Sequence, residues 1–319
     1  MVGEKPGPAD LRGQRVLVTG AAGQLGTYLV PALRQSGATI IALGSRPGDG
    51  IDVDADLADQ AAARRAITGA APEVIVHAAA CTDVDGIERD PARGEQSNAR
   101  ATSNVAEAAR DIGAHLVAVS TDMVFPGNGG APYAEDAPTA PISAYGQSKR
   151  ESEQAVFAAD RSFAVARTAW LYGGAGKHFP RTVVTVLRDR GSIEVVADEF
   201  GSPTFAADLA QALIQLAAVR EGGVFHLVNE GSASRYELAR ATAELAGFDP
   251  GSVHPVSTET FLSRYPLPAK RPPDSTLRNR RGTEKGIVLR GWREALADYA
   301  PALAAQIASG PRVGPSSGG

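Results

Sequence analysis

A tyrosine and a lysine lie four residues apart, at Tyr145 and Lys149, where a helical pattern begins. Residues with this spacing share one face of a helix, so the phenol and the ammonium are expected to lie side by side. Thr121 follows a short apolar run, His115–Val119, that is typical of a buried parallel strand. A hydroxyl there, facing the pair, suits proton transfer to or from the oxygen of a bound molecule. Thr121, Tyr145 and Lys149 are therefore the predicted catalytic residues.

The pKa of the tyrosine decides whether this arrangement is useful. A free tyrosine has a pKa near ~10, too high for efficient proton exchange at neutral pH. An ammonium ~4 Å away contributes roughly 4 kcal/mol at an effective dielectric of ~20, but only ~1 kcal/mol in bulk water. Because ~1.36 kcal/mol equals one pKa unit, the first case lowers the pKa by about three units. We therefore expect Lys149 to lower the pKa of Tyr145, provided that the pair is partly dehydrated.

The composition is ordinary for a soluble globular protein, with 43% hydrophobic and 21% charged residues among 319. A net charge of −4 favours binding to neither nucleic acid nor an anionic membrane. The single cysteine, Cys81, excludes an internal disulfide and suits a reducing compartment. Met1–Asp10 lacks the apolar core of a signal peptide, and no run approaches the ~20 apolar residues of a spanning helix. We expect a soluble cytoplasmic protein, monomeric or homodimeric, with no nucleic-acid or membrane partner.

Apolar runs alternate with helical patterns along the first half of the chain. The predicted strands are Arg15–Thr19, Thr39–Leu43, Val74–His77, His115–Ser120 and Ser162–Arg167, and the predicted helices are Gln24–Gln35, Leu57–Gly69, Glu95–Ile112 and Ala144–Ala159. This alternation predicts an α/β fold with a doubly wound, parallel, Rossmann-like sheet. Further on, the predicted helices are Phe179–Arg190, Thr204–Arg220 and one that begins at the capping box of Ser234 and Glu237, and the predicted strands are Ile193–Val196 and Val224–Val228.

A glycine-rich turn follows the first predicted strand. Gly20 allows a tight turn, Gly23 lets the backbone approach a pyrophosphate, and Gly26 permits close packing of helix on sheet. The N-terminus of the next helix then offers free N–H groups to phosphates. We therefore predict a dinucleotide site that includes Gly20, Gly23, Gln24, Leu25 and Gly26.

The end of the second strand bears on the choice of dinucleotide. A carboxylate there would bind a ribose 2′-hydroxyl, but the sequence has Ser45 and Arg46 instead. An arginine pairs well with a 2′-phosphate. The predicted cofactor is therefore NADPH, with NADH as the alternative.

Further cofactor contacts are predicted along the next strand ends. Asp56, followed by Leu57, either accepts a hydrogen bond from the adenine amine or caps the following helix. The small side chains after the third strand would let the cofactor lie across it, so we include Ala78, Ala79, Ala80 and Thr82. His77 and Cys81 are interpreted as structural.

These patterns predict the organisation of the chain. Residues 1–12 form a disordered lead-in, residues 13–170 the Rossmann domain that binds NAD(P), and residues 311–319 a disordered tail. The smaller C-terminal region, 171–310, is mainly substrate-binding, with elements that return to the sheet.

Several motifs occur together and in one order. They are Gly23–Gly26, Val74–Ala80, Val84–Asp85, Ser120–Gly127, Pro141, Tyr145–Lys149, Arg167–Tyr172, Gly201–Thr204 and Arg271–Pro272. In these motifs the chain resembles the extended short-chain dehydrogenase/reductase family, and more narrowly the dTDP-4-dehydrorhamnose reductases.

The resemblance implies reduction at C4 of a dTDP-4-dehydro-6-deoxy-L-hexose, with hydride from the nicotinamide and a proton from Tyr145. It also implies that Lys149 binds the nicotinamide ribose. The residues implied to bind the substrate are Val84, Thr121, Asp122, Met123, Tyr145, Trp170 and Arg271. Arg271 is expected near the nucleotide because arginine makes charge-assisted contacts to diphosphate.

The chain departs from the family at three positions. Met123 stands where a tyrosine is common, so the pocket loses a hydroxyl and gains a flexible apolar wall. His77 replaces a common asparagine. Tyr28 occupies the place of an acid that helps to hold Mg²⁺ between subunits in some relatives, so we predict no metal.

Three alternatives remain open. A 4-ketoreductase of another dTDP-deoxysugar, in a specialised-metabolite pathway, keeps the chemistry and is favoured by Met123. A nucleotide-sugar 4,6-dehydratase would need an acid pair after Thr121, where Asp122 is followed by Met123. A non-catalytic NADP-binding subunit has no need to retain Thr121, Tyr145 and Lys149.

Overall fold

The computed structural model describes residues 11–309, and one large parallel sheet organises it. The strands are β1 Arg15–Thr19, β2 Thr39–Gly44, β3 Val53–Asp54, β4 Val74–His77, β5 His115–Thr121, β6 Ala164–Thr168, β7 Leu171–Tyr172, β8 Ile193–Val196, β9 Phe200–Gly201, β10 Thr204–Phe205, β11 Gly223–His226, β12 Ala233–Ser234 and β13 Val253–Val256. The sheet has the order β11-β6-β5-β4-β1-β2-β3, and each neighbouring pair in it is parallel. The predicted doubly wound α/β fold is confirmed.

Helices cover both faces of this sheet. The helices of the described chain are α1 Gly26–Gln35, α2 Gln60–Ala70, α3 Val84–Arg89, α4 Pro91–Gly94, α5 Ala101–Ile112, α6 Ala144–Ala159, α7 Phe179–Arg190, α8 Ala206–Val219, α9 Arg235–Leu245, α10 Thr258–Arg264, α11 Arg281–Glu284 and α12 Trp292–Ala308, with a π-helical segment at Glu95–Arg100 and 3₁₀ turns at Asp122–Val124 and Pro250–Ser252. The helices α1 and α8 lie on one face, and α2, α5 and α6 lie on the other.

The strands are apolar at consecutive positions because both of their faces are buried. In β1, Val16 and Val18 pack toward α1 and α8, whereas Leu17 packs toward α2 and α5. All three side chains are fully buried. Successive side chains of a strand point to opposite faces, so a strand covered on both sides needs an unbroken apolar run.

The chain beyond β6 builds a second group of helices and also returns to the sheet. Tyr172, Leu238, Trp292 and Leu296 belong to one buried cluster that joins α9 and α12. The strands β8 and β13 form a separate parallel pair. The strand β11 completes the large sheet beside β6.

The start of α2 corrects one prediction from the sequence. Asp59, in extended backbone, caps this helix by accepting a hydrogen bond from the amide of Ala62 at 2.9 Å. Asp56, one of whose two predicted roles was this cap, instead accepts from the amide of Ala58 at 2.9 Å. The helix therefore begins at Gln60 rather than Leu57.

The predicted ends of the chain lie mostly outside the described part. Residues 1–10 and 310–319 are not among the described residues. Leu11, at the edge of the predicted lead-in, is fully buried in the core. Across 11–309, no helix has both the length and the apolarity that are needed to cross a bilayer. The domain boundary near residue 170 stays a prediction.

Close packing of the glycine-rich turn on α1 leads to a stability prediction. A Cβ atom on Gly26 would overlap the carbonyl oxygens of Gly20 and Ala21. Gly26→Ala should therefore lower the free energy of unfolding by about 1–3 kcal/mol, the usual cost of overpacking. Urea denaturation followed by circular dichroism measures this change.

Gly69→Ala is the matched control, because Gly69 lies within α2 and a Cβ there meets nothing within 4 Å. Alanine in place of glycine inside a helix should raise stability by about 0.5–1 kcal/mol. Equal stability of Gly26→Ala and the wild type would contradict the close packing of the turn.

Candidate active site

A cavity of about 390 Å³ opens where the strand order of the sheet reverses, at the carboxyl ends of β1, β4, β5 and β6. Ligands of open α/β sheets bind at this kind of switch point. The predicted site residues that line it are Gly20, Gly23, Gln24, Leu25, Ala78, Ala80, Thr82, Val84, Thr121, Asp122, Met123, Tyr145, Lys149, Trp170 and Arg271. The structure thus brings the glycine-rich turn and the proposed proton-transfer group into one cavity.

The glycine-rich turn forms one end of the cavity. Gly20 has φ +68°, and a Cβ atom there would lie 2.8 Å from the backbone nitrogen of Ala79. Glycine is required for both reasons. The helix α1 begins after Leu25 without a side-chain cap. The amides of Thr27 and Tyr28 in its first turn donate to the carbonyl oxygens of Gly23 and Leu25. A glycine-rich turn that leads into a helix N-terminus is the kind of cradle that binds phosphates.

Tyr145 and Lys149 lie on the first turns of α6. The hydroxyl of Ser143 caps this helix by accepting from the amide of Gly146 at 3.1 Å. The side chains of Tyr145 and Lys149 are only 8% and 4% exposed. The Lys149 Nζ donates a hydrogen bond to the carbonyl oxygen of Val119, on β5, at 2.8 Å. The helix is therefore fixed directly against the strand that carries Thr121.

Burial shifts the pKa values of Tyr145 and Lys149 so that both side chains favour their neutral forms. It raises the pKa of Tyr145, the carboxylate of Asp122 raises it further, and a hydrogen bond with Thr121 lowers it. Burial lowers the pKa of Lys149 to about 8, against the opposing charge of Glu153. The expected lowering of the Tyr145 pKa by Lys149 is thus not observed. The cost of a buried phenolate is the largest effect on this pKa, and the phenol stays protonated at neutral pH.

Asp122 is held by hydroxyl groups from two parts of the chain. Thr121 donates to its Oδ1 at 3.0 Å, and Ser275 donates to its Oδ2. The amide of Met123 donates to the Thr121 hydroxyl at 3.2 Å. Burial raises the pKa of Asp122. The residues after Thr121 are therefore fixed by a segment that lies 153 positions further along the chain.

Trp170 adopts a conformation that is rare for a bulky residue. Its φ is +42°, in the left-handed region. A Cβ on Gly201 would lie 2.6 Å from the indole nitrogen, and the Arg235 guanidinium stacks over the ring at 3.6 Å. Only glycine leaves room beneath this indole. Trp170 is therefore fixed from both sides.

Arg235 is a cavity residue that the sequence reasoning missed. Its guanidinium lies 3.8 Å from the carboxylate of Glu199, and burial lowers its pKa to about 10. Burial likewise raises the pKa of Glu199. The capping box of Ser234 indicated a helix start here, and the arginine inside that box was the available signal. Among the described residues, no hydrogen bond leaves this guanidinium, so its donors remain available to a ligand.

A second, larger cavity adjoins the first. Its volume is about 840 Å³, and its apolar wall includes Phe179, Ile193, Phe261, Tyr265 and Leu267. Glu199, Arg235 and Arg271 line both cavities. Arg271 pairs with Asp85 through two contacts of 2.7 Å. The junction between the cavities therefore carries two guanidinium groups.

Six of the predicted cofactor residues do not line either cavity. They are Gly26, Ser45, Arg46, Asp56, Leu57 and Ala79. Ser45 and Arg46 are exposed beyond the end of β2, Leu57 is buried in the core, and Ala79 packs toward α2 and α5. Their predicted roles stay predictions. Besides Arg235, the cavity residues that were not predicted as site residues are Val119, Ser120, Thr168, Ala169, Leu171, Glu199, Pro272 and Ser275. Of these, Ser120, Thr168, Ala169, Leu171 and Pro272 lie within the motifs that carry the resemblance.

His77 and the backbone of Cys81 are held by hydrogen bonds to neighbouring polar side chains. His77 is buried, with ring nitrogens 2.7 Å from the Thr19 hydroxyl and 3.1 Å from the Thr102 hydroxyl. Burial and the charge of Lys149 lower its pKa to about 3. The side chain of Asn98 accepts from the amide of Cys81 at 2.8 Å and donates to its carbonyl at 3.1 Å.

Tyr28 contacts two residues of the C-terminal region, Gly174 and Phe205. Its hydroxyl accepts from the amide of Gly174 at 2.9 Å, and its ring meets Phe205 edge-on. Within the described range, no three or more His, Cys, Asp and Glu side chains are grouped as a metal would require. The expected lack of a metal stays a prediction.

Comparison with known proteins identifies the family. Residues 14–305 match the family model described as the RmlD substrate binding domain. The dTDP-4-dehydrorhamnose reductase of Mycobacterium tuberculosis is 43% identical over 293 residues, which cover 90% of this chain and 92% of that protein. The chain belongs to the dTDP-4-dehydrorhamnose reductase family. The resemblance inferred from the motifs is thereby confirmed.

Two further members show the breadth of this family. The dTDP-4-dehydrorhamnose reductase of Bacillus anthracis, solved in complex with NADP, superposes with a TM-score of 0.83 at 33% identity, over 90% of this chain and 98% of that one. A probable dTDP-4,6-dihydroxy-2-methyloxan-3-one 4-ketoreductase of Streptomyces antibioticus is 42% identical, over 91% of this chain and 96% of that protein. The family is one of oxidoreductases that act on nucleotide sugars.

Proposed function

We propose that this chain uses NADPH to reduce the C4 ketone of a dTDP-4-dehydro-6-deoxy-L-hexose, with Tyr145 as the proton donor. The reaction that the family is named for, called the reference reaction below, converts dTDP-4-dehydrorhamnose to dTDP-L-rhamnose. One observation carries the proposal: Thr121, Tyr145 and Lys149 line the same cavity as the glycine-rich turn. Family membership supplies the class of substrate.

The residues present fit a nicotinamide dinucleotide. The glycine-rich turn and the uncapped start of α1 suit its pyrophosphate, and the small side chains of Ala78 and Ala80 leave the strand end open. Thr168 lines the cavity with a buried hydroxyl that has no partner among the described residues. A carboxamide would satisfy that hydroxyl. When bound, the cofactor supplies hydride to the ketone carbon.

Residues of the chain then supply the proton that the reduced oxygen requires. The phenol of Tyr145 is protonated at neutral pH and is assigned the donation to the oxygen of the reduced carbon. The Lys149 ammonium stabilises the phenolate that this transfer leaves behind. The Thr121 hydroxyl, which donates its one proton to Asp122 in the structure, would have to turn from that carboxylate to donate to the same oxygen. Because Tyr145 and Lys149 are buried, interactions between charges there are stronger than in bulk water.

The nucleotide is assigned to the second cavity. Its aromatic and aliphatic wall suits a base and a ribose, and the two arginines at the junction suit a diphosphate. Arg271 is paired with Asp85 at 2.7 Å, whereas the ion pair of Arg235 with Glu199 spans 3.8 Å. We therefore assign the main contact with the diphosphate to Arg235.

A second candidate function is the 4-ketoreduction of another dTDP-deoxysugar. Met123 lines the cavity beside Thr121 and favours this reading, because a thioether cannot replace the hydrogen bonds of a tyrosine hydroxyl. The relative from Streptomyces antibioticus carries the name of such an enzyme.

The deciding assay follows NADPH oxidation with dTDP-4-dehydro-L-rhamnose and identifies the product by NMR. Turnover to dTDP-L-rhamnose supports the reference reaction. Turnover only of a different 4-keto sugar supports the second candidate. A protein that binds no NADPH, or that binds it and reduces neither sugar, would contradict both.

Tyr145→Phe should lower kcat by about 10²- to 10⁴-fold, the usual contribution of a general acid. NADPH binding, followed by the fluorescence of the reduced nicotinamide, should stay within a few-fold of the wild type because the ring is retained. Near-normal turnover would rule out Tyr145 as the proton donor.

Arg46→Ala tests the choice of cofactor. If Arg46 pairs with the 2′-phosphate, the ratio of kcat/KM for NADPH to that for NADH should fall roughly tenfold or more, as the loss of a charge-assisted hydrogen bond predicts. Arg34→Ala, at the far end of α1, is the control. An unchanged ratio in Arg46→Ala would remove Arg46 from the cofactor site.

Arg235→Met should raise KM for the sugar nucleotide by about 10- to 100-fold, which corresponds to the ~1.5–3 kcal/mol of a hydrogen bond to a charged group. The Kd for NADPH should not change. Arg240→Met makes the same replacement at an exposed position of α9 and should leave KM unchanged. Equal KM values for the two variants would refute the diphosphate assignment.

A further inference from the structure

The face of α6 that carries Tyr145 and Lys149 continues to a third ionisable residue. Glu153 follows Lys149 by four positions, so the three side chains lie along one stripe of the helix. The side chain of Glu153 is buried, and it does not line the cavity. The proposed reaction gives this carboxylate no direct part.

Glu153 makes a dense set of contacts beneath the site. Its Oε1 accepts from the Ser120 hydroxyl at 2.6 Å and from Arg167 Nε at 2.8 Å. Its Oε2 accepts from a terminal nitrogen of Arg167 at 2.7 Å. Ser120 precedes Thr121 on β5, and Arg167 precedes Thr168 on β6. One carboxylate therefore ties the catalytic helix to the ends of two strands that form the cavity.

Glu153 is also the anion that acts on Lys149. The charge of Glu153 favours the protonated ammonium, which burial disfavours. The other titratable groups that face this region are Tyr145 on the same helix, Asp122 after β5 and His77 on β4, with Arg167 on β6 as the partner of Glu153. His77 is neutral near pH 7.

We propose that Glu153 is a positioning residue of the reaction, which keeps Lys149 charged and fixes α6 against the strand end that carries Thr121. This proposal rests on the proposed function, because it assigns Lys149 its task there. Buried ion pairs often add little to stability, and their better documented role is to fix one arrangement. A merely structural Glu153 would change stability without changing the titration of Lys149.

The direct test titrates Lys149 in the protein alone. The sequence contains five lysines, so protein labelled with ¹³Cε-lysine gives few resonances, and Lys149→Arg identifies the one from Lys149. The wild-type midpoint should lie near pH 8. Glu153→Gln, which keeps the shape and removes the charge, should lower this midpoint by half a unit or more.

The matched control is Glu135→Gln. Glu135 is also buried and accepts from the backbone amides of Arg280 and Arg281 at 3.0 and 2.9 Å, away from the cavity. This variant should lose stability and leave the Lys149 midpoint in place. A Glu153→Gln midpoint that equals the wild-type value would overturn the proposal.

A double variant, Glu153→Leu with Arg167→Met, covers the case in which Glu153→Gln does not fold. It removes both charges and keeps an apolar filling, which proteins often tolerate. Its Lys149 midpoint should again fall, the alkaline limb of kcat/KM should move to lower pH with it, and kcat should drop about tenfold at pH 7.5. A folded double variant with an unmoved midpoint would refute the role of Glu153. The midpoint needs no turnover, so a wild type that reduces no sugar ketone defeats the proposed function separately.

Discussion

A buried ammonium is the constraint on which the candidate site depends. Lys149 is 4% exposed, so water cannot stabilise its charge, and the protein must do so. The carbonyl of Val119 accepts one hydrogen bond, and Glu153 supplies the opposing charge. Glu153 in turn would be unstable there without Arg167. The charges of Lys149, Glu153 and Arg167 thus alternate in sign from α6 to β6. Electrostatics as well as packing therefore sets the arrangement of these two elements.

The same burial keeps the phenol in its protonated form and also makes it a weaker acid than free tyrosine. Burial disfavours every charged form, so it lowers the pKa of Lys149 and raises that of Tyr145. The carboxylate of Asp122 adds to the effect on the phenol. Under the proposed function Tyr145 starts with its proton, and giving it up requires that the charge of Lys149 stabilise the phenolate. The simple expectation of a lowered tyrosine pKa counted the neighbouring charge and left out the desolvation of the phenolate.

The sequence was sufficient for the elements whose signals are local. Buried parallel strands are unbroken apolar runs, so β1 and β4 match their predicted bounds. The spacing of Tyr145 and Lys149 is read within one helix. By contrast, neighbouring aspartates such as Asp56 and Asp59 are equally good caps in composition, and the local backbone decides between them.

Contacts between distant segments could not be predicted in this way. Ser275 reaches Asp122 across 153 positions, and Arg271 reaches Asp85 across 186. No periodicity encodes such pairs. Arg235 was visible only as part of a helix start, and its place over Trp170 depends on where α9 begins, which is set by its packing against α7 and α12. The C-terminal part of the site is therefore the part that required the structure.

The division of the site into local and distant contacts has a consequence for specificity. Trp170 keeps its left-handed backbone, at a cost of ~1–3 kcal/mol, because Gly201 leaves room below the indole and Arg235 covers it above. These contacts come from chain segments beyond β6, whereas Glu153 and Lys149 belong to α6. Under the proposed function, changes at Trp170, Gly201 or Arg235 would alter the wall that borders the sugar without touching the ion pair of Glu153 and Arg167. Changes at Met123 or Asp122, which follow Thr121 directly, would reach the proton-transfer group as well, because the carboxylate of Asp122 acts on the pKa of Tyr145.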